Sequence, residues 1–234
     1  MWNVPKMWEG GECWIIGGGH SIPFQFDVPI DIIKQVCEKK LSVDVYSDYM
    51  KAIHSKHIIG INNAYQIGAW IDILFFGDGS WYLPHKEKVA QWSGIKVSCA
   101  PRFNNNKDTM KAGIKFVPKN SNHRYGISPN KNTVSWNHNS GAAAISLAAH
   151  LGVQRIYLLG FDMCSINSIT HWHGGHRSNN NNKGRIILPP FKRHLIGFSA
   201  IAKDAKRMKI EIINVSPDSK IEVFKKVSFK EINQ

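Results

Sequence analysis

The stretch Cys13-Trp14-Ile15-Ile16-Gly17-Gly18-Gly19-His20-Ser21 decides the fold of this chain. A short apolar run leads directly into three glycines, a histidine and a hydroxyl side chain. This order predicts a first β-strand, a tight turn and the start of a helix. Glycine accepts positive φ angles and lets a ligand approach the backbone closely, and N–H groups at such a turn favour a nucleotide phosphate. The turn matches neither G-x-G-x-x-G nor a P-loop, so a glycine-rich connection without a ligand is the alternative.

Two later apolar runs end in the same way. Residues 57–61 lead into Asn62 and Asn63, and residues 71–76 lead into a polar stretch that contains Asp78. Ligands of open parallel sheets bind outside the carboxyl ends of the strands. The three strand ends are therefore predicted to surround one crevice.

The clearest local signal is an αβ unit in the second half of the chain. Asn139 or Ser140 can cap a helix that begins with Gly141 and continues through an alanine-rich apolar run. Gly152 ends this helix, and a strand over residues 155–159 leads into Gly160-Phe161-Asp162. Further strands are predicted over residues 95–99, 114–117 and 210–213, helices over residues 29–40, 86–92 and 190–208, and a short strand or insertion over residues 43–46.

These elements predict an α/β protein with a Rossmann-like, open and mostly parallel sheet that carries helices on both faces. The 234 residues suit one domain that spans residues 1–234. Residues 101–138 are rich in Asn, Lys and Pro, and residues 163–189 are polar with an asparagine run. Both segments are interpreted as loop or lid excursions that add little to the core.

Composition narrows the class of protein. The formal net charge is +13, and such a field attracts anions such as nucleic acid or nucleotide substrates, although a generally basic, solvated surface is the alternative. The four cysteines are far apart, which argues against a disulfide framework or a cysteine zinc site. No apolar run is long enough to cross a bilayer and no signal peptide is recognisable, so a cytoplasmic location is expected.

The motif His171-Trp172-His173-Gly174-Gly175-His176 carries the most reactive side chains. Three histidines at this spacing can ligate zinc, and an imidazole can instead act as a general base at neutral pH. A third possibility is that some of them only form hydrogen bonds within the loop. Asp162 has two interpretations as well: it binds Mg²⁺ through nucleotide phosphates, or it caps the loop after its strand.

The order of these motifs resembles a Rossmann-like superfamily that contains the bacterial lipooligosaccharide sialyltransferases and the 6-hydroxymethylpterin diphosphokinase-like proteins, with many phage-encoded members. Gly17 to Ser21 resemble its G-x-G-P-S turn, with His20 at the proline position, and Asn62-Asn63 resemble its C-N-x-F/Y element. The block from Ser140-Gly141 to Gly160-Phe161-Asp162 is the most specific match. If the chain is phage-encoded, its location is the host cytoplasm.

The resemblance implies roles for individual residues. It implies a nucleotide site made by Gly17, Gly18, Gly19, His20, Ser21, Asn62, Asn63, Asp78, Ser140, Gly141 and Asp162. It also implies that a histidine of the loop is the catalytic base, with His176 the best match and His173 the second. No metal is assigned to this site.

Three functions follow as hypotheses. The first is a glycosyltransferase that uses a nucleotide-sugar donor and a histidine base, with an anionic glycan or modified DNA as acceptor. The second is a diphosphokinase-like transfer of pyrophosphate from ATP, which needs Mg²⁺ and carboxylates such as Asp78 and Asp162. The third is a nucleotide- or nucleic-acid-binding module without catalytic activity.

Overall fold

A computed structural model describes residues 1–104, 111–165, 169–174 and 190–232 of the chain. Within these ranges eight strands form one sheet of order β5-β4-β3-β2-β1-β6-β7-β8, and each neighbouring pair is parallel. The Rossmann-like α/β prediction is therefore confirmed. The strands are β1 Glu12–Ile16, β2 Ile58–Ile61, β3 Ile73–Phe76, β4 Ile95–Ser98, β5 Ile114–Phe116, β6 Arg155–Leu159, β7 Glu211–Asn214 and β8 Lys225–Lys226.

The central strands are apolar on both sides because the sheet is covered on both faces. In β1, Cys13 and Ile15 pack into one apolar cluster, whereas Trp14 and Ile16 pack into another on the opposite face. Successive side chains of a strand alternate between faces. This is why the β1 sequence is a continuous apolar run.

Helices cover both faces, as predicted. The helix α4, Ser140–His150, packs against β1, β2 and β3 on one face, and five of its side chains there are alanines. The helix α2 packs on the other face through Ile33 and Val36. The helices are α1 Ile22–Gln25, α2 Ile30–Cys37, α3 Gly79–Gln91, α4 Ser140–His150, α5 Phe191–Leu195, α6 Phe198–Met208 and α7 Phe229–Ile232.

Several local predictions need correction. Residues 43–46 form the start of a 3-10 helix over Val43–Tyr49 instead of a strand. The helix predicted over residues 86–92 begins at Gly79, since Asp78 caps it. The helix predicted over residues 190–208 is interrupted at Gly197, where a side chain would collide with the buried Asn137.

The segment 101–138 contributes more to the core than predicted. It supplies the edge strand β5, and its described residues bury several apolar side chains: Phe103, Ile114, Phe116, Val117, Ile127 and Val134. The sequence composition hid these residues among many polar ones. In the described ranges, no helix is both long and apolar enough to cross a membrane.

The close packing of α4 gives a stability prediction. Ala144 is fully buried beneath the sheet, so Ala144→Leu is expected to lower the free energy of unfolding by about 1–3 kcal/mol through overpacking. Urea denaturation monitored by circular dichroism measures the change. The control is Ala90→Leu at an exposed position of α3; equal losses in both variants would contradict a tightly packed α4 interface.

Candidate functional site

A cavity of about 330 Å³ lies at the carboxyl ends of the central strands. It is lined by residues that follow β1, β2, β3 and β6, including Gly17, Asn63, Asp78 and Phe161. The strand order reverses between β1 and β6, because the chain proceeds from β1 towards β5 on one side and from β6 towards β8 on the other. The cavity therefore occupies the topological switch point, where open α/β sheets bind their ligands.

The glycine turn after β1 does not adopt the positive φ angles that the sequence predicted. Gly17, Gly18 and Gly19 have no positive φ angles, whereas Gly160 does. A Cβ atom at Gly17 would lie 2.7 Å from Gly160 O, and one at Gly19 would lie 2.6 Å from the same oxygen. The glycines thus allow the loops after β1 and β6 to touch, and all three still line the cavity.

Asp162 joins these two loops. Its Oδ2 accepts a hydrogen bond from Ser21 N at 2.8 Å, and its Oδ1 accepts one from Ser21 Oγ at 2.5 Å. His20 Nδ1 lies 3.0 Å from Asp162 Oδ2, and both side chains are buried. Of the two interpretations of Asp162, the structural one matches these bonds, while His20 and Ser21 are not among the residues that line the cavity.

The histidine loop is attached to the glycine turn through Trp172. This side chain is 1% exposed, and its Nε1 donates to Gly17 O at 2.9 Å. Trp172 N donates to Gly18 O, and His171 forms an isolated antiparallel bridge with Gly19. His171 and His173, on either side of Trp172, line the cavity with rings 5.3 Å apart. The preferred base, His176, lies outside the described residues.

Asn63 connects the end of β2 to this loop. Trp81 Nε1 donates to Asn63 Oδ1 at 2.8 Å, and an indole N–H can only donate. The Asn63 Nδ2 group therefore faces His173, whose two ring nitrogens each lie 3.3 Å away. The indole thus fixes the amide orientation, and the amide in turn positions His173.

The remaining predicted residues lie on the same wall or cap helices. Asn62 lines the cavity with a positive φ of 51°, and its buried Oδ1 has no hydrogen-bond partner among the described residues. Ser140 and Gly141 form the first turn of α4 at the cavity, where Ser140 Oγ accepts from Gly77 N. Asp78 Oδ1 accepts from Ser80 N and Oγ, so this carboxylate caps α3 at the cavity rim.

Several cavity residues were missed by sequence reasoning. They are Trp136, His138, Phe191, Arg193 and His194. The segment 101–138 was interpreted as a lid, and Arg193 and His194 were assigned to a helix without further role. His138 stands directly before the Asn139 cap, and this position next to a predicted helix start was the signal available in the sequence.

The carboxylates do not fit a Mg²⁺ site. Both oxygens of Asp162 already accept hydrogen bonds from Ser21, and Asp78 caps a helix. Over the ranges that the structure describes, no three His, Cys, Asp or Glu side chains are grouped as metal ligands. The zinc hypothesis includes His176 and stays a prediction.

The fold and cavity define a Rossmann-like α/β protein with its site at a topological switch point. Among solved structures, MAf glycosyltransferase from Magnetospirillum magneticum AMB-1 is similar, with a TM-score of 0.56 and 16% identity over 94% of this chain and 34% of that one. The sialyltransferase CstII from Campylobacter jejuni, solved in complex with the substrate analogue cytidine-5'-monophosphate, has a TM-score of 0.45 and 13% identity over 93% of this chain and 84% of that one.

The chain thus spans about a third of the length of the MAf structure. This likeness shows the fold alone. No protein-family model and no curated protein matches the sequence.

The contact between the two loops gives a second stability prediction. Gly19→Ala places a Cβ atom 2.5 Å from Asp162 Oδ2 and 2.6 Å from Gly160 O, so a loss of about 1–3 kcal/mol in the free energy of unfolding is expected. Thermal denaturation measures it. The control is Gly11→Ala, where the nearest atom is 3.3 Å away; a neutral Gly19→Ala would show that the loops separate easily.

Proposed function

We propose that this chain is a glycosyltransferase that binds a nucleotide-sugar donor in the cavity at the switch point. The observation that carries the proposal is the convergence of the glycine turn, the end of β2, the first turn of α4 and the histidine loop on one cavity. The likeness of the whole fold to MAf glycosyltransferase supports it.

The residues that line the cavity suit a nucleoside diphosphate or monophosphate. The α4 N-terminus at Ser140 and Gly141 presents the positive end of a helix dipole to the cavity. Asn62 Oδ1 offers an acceptor without a protein partner in the described chain, which suits a ribose or base donor group. The glycine turn keeps the cavity floor free of side chains.

A histidine of the loop 171–176 acts as the general base in this proposal. It removes the proton from an acceptor hydroxyl while the oxygen attacks the anomeric carbon of the donor, and the bond between that carbon and the nucleotide phosphate breaks. The nucleotide leaves with the bonding electrons. His173 is the described candidate, positioned by Asn63 and Trp81, and His176 is the candidate from the family resemblance.

Transfer of pyrophosphate from ATP has less support. That reaction requires carboxylates that hold Mg²⁺, and the Asp162 oxygens are already occupied by Ser21. A binding module without catalytic activity stays an alternative that the kinetic experiment below separates. DNA as acceptor has no direct support from the cavity and is one of the anionic classes to test.

A nucleotide that binds the proposed donor site is expected to stabilise the folded protein. CMP, UDP or GDP, at about a hundred times its Kd, is expected to raise the melting temperature by roughly 5–10 °C without Mg²⁺. A thermal-shift screen of these nucleotides with ADP and ATP, each with and without Mg²⁺, measures this. A rise that occurs only with ATP and Mg²⁺ would favour the diphosphokinase hypothesis, and no rise with any nucleotide would refute the donor site.

Removal of the proposed histidine base is expected to reduce turnover without reducing nucleotide binding. His173→Ala or His176→Ala is expected to lower kcat by about 10²- to 10⁴-fold, while the thermal shift with nucleotide remains. The assay uses the nucleotide sugar whose nucleotide stabilises the protein in the thermal-shift screen. It measures the release of that nucleotide, with water or a panel of glycans as acceptor.

A matched control is His57→Ala, since His57 is exposed and directly precedes β2, at the amino ends of the strands and away from the cavity. Wild-type turnover in both loop variants would exclude His173 and His176 as the base. Nucleotide binding without any turnover of the native protein would favour the non-catalytic module.

A further inference from the structure

A group of basic side chains at the cavity has no role in the transfer described above. It consists of Arg124, His138, Arg193 and His194, and the last three line the cavity. His138 lies directly before the cap of α4, whereas Arg193 and His194 belong to α5. Two segments that are distant in sequence thus bring positive charge to the same wall.

Buried contacts hold these segments together. Asn139 Nδ2 donates to His194 O at 3.1 Å, which links the α4 cap to α5. Asn137 is fully buried, and its amide bonds to Gly126 N, Gly126 O and Ser135 O. Gly197 packs directly on Asn137, because a Cβ there would lie 2.5 Å from its Oδ1.

His138 itself has a costly backbone conformation. Its φ is +61° and that of Asn137 is +50°, a region that non-glycine residues occupy at a cost. Its Nε2 lies 2.9 Å from Tyr125 Oη, and its Nδ1 lies 3.4 Å from Arg124 Nη2. The buried Asn137 network therefore holds an imidazole next to a guanidinium at the cavity.

The charges that act on the two imidazoles are positive. Desolvation lowers the pKa of His138, and the nearby Arg124 and Arg193 lower it further. Desolvation also lowers the pKa of His194, with added contributions from Arg193 and His138. Of the described acidic residues that line the cavity, Asp162 is bonded to Ser21 and Asp78 to Ser80.

We propose that His138, Arg193 and His194 form a binding site for an oxyanion, a phosphate or carboxylate, carried by one of the substrates. The identity of that substrate rests on the proposed function, whereas the binding of an anion does not. Arginine and histidine donate charge-assisted hydrogen bonds to such oxygens. The anion is either a donor phosphate or an acidic group of the acceptor.

The test is an NMR titration of the histidine ring protons with inorganic phosphate, with His138→Gln and His194→Gln used to assign the two signals. A bound anion stabilises the imidazolium form, so phosphate is expected to raise both pKa values. A protonated imidazole binds an anion more strongly than a neutral one does, so phosphate is expected to bind more tightly as the pH falls through the pKa values of the two rings. Unchanged titration of both rings at high phosphate would overturn the proposal.

The charge variant is Arg193→Gln, which is expected to weaken phosphate binding about tenfold or more. Arg193→Lys keeps the charge and is expected to retain most of the binding, with circular dichroism as the check on folding. Arg155→Gln is the matched control, because Arg155 begins β6 at the amino ends of the strands, away from the cavity, and pairs with Glu211. Equal losses in Arg193→Gln and Arg155→Gln would refute a specific site.

Competition identifies the source of the anion. If the stabilising nucleotide displaces phosphate from His138 and His194, the site holds the donor phosphate. If phosphate and nucleotide bind together, the site holds an acidic group of the acceptor. Phosphate binding in a protein that no nucleotide stabilises would refute the proposed glycosyl transfer and leave the anion site intact.

Discussion

The structure depends on the contact between the loop after β1 and the loop after β6. The order in which the strands follow one another reverses between β1 and β6, so a crevice opens between the ends of these two strands. Asp162 spans the crevice floor through two hydrogen bonds to Ser21, and the glycines of the first loop bring their backbone against Gly160. This contact leaves no room for a Cβ atom at Gly17 or Gly19 beside Gly160 O.

This contact also decides which chemistry is available in the cavity. Both oxygens of Asp162 accept hydrogen bonds from Ser21, so this carboxylate at the cavity joins the two loops. Trp172 also joins a loop to the glycine turn, because its buried indole donates a hydrogen bond to Gly17 O. Its neighbours His171 and His173 line the cavity. The cavity is lined by imidazoles, amides and backbone groups, which can donate hydrogen bonds to a phosphate-bearing ligand.

The sequence predicted the parts of the fold that are encoded locally. Strands β1, β2, β3 and β6 each show an apolar run followed by a polar or glycine break, and the α4 cap is visible beside an alanine-rich helix. The packing role of the glycines could not be predicted, because the group that approaches Gly17 is Gly160, far along the chain. His138 and Arg193 were missed for the same reason: their meeting at the cavity depends on the packing of Gly197 against Asn137.

The distribution of charge is more informative than its sum. The formal net charge of +13 predicts an anionic partner in general terms, but several lysines form exposed ion pairs, such as Lys6 with Glu9 and Lys51 with Asp48, that water screens. At the cavity, by contrast, Arg193 acts on two imidazoles in a partly desolvated setting. Arg193 and the two imidazoles can donate hydrogen bonds to an anion placed there, so the local arrangement gives a sharper basis for substrate choice than the overall basicity.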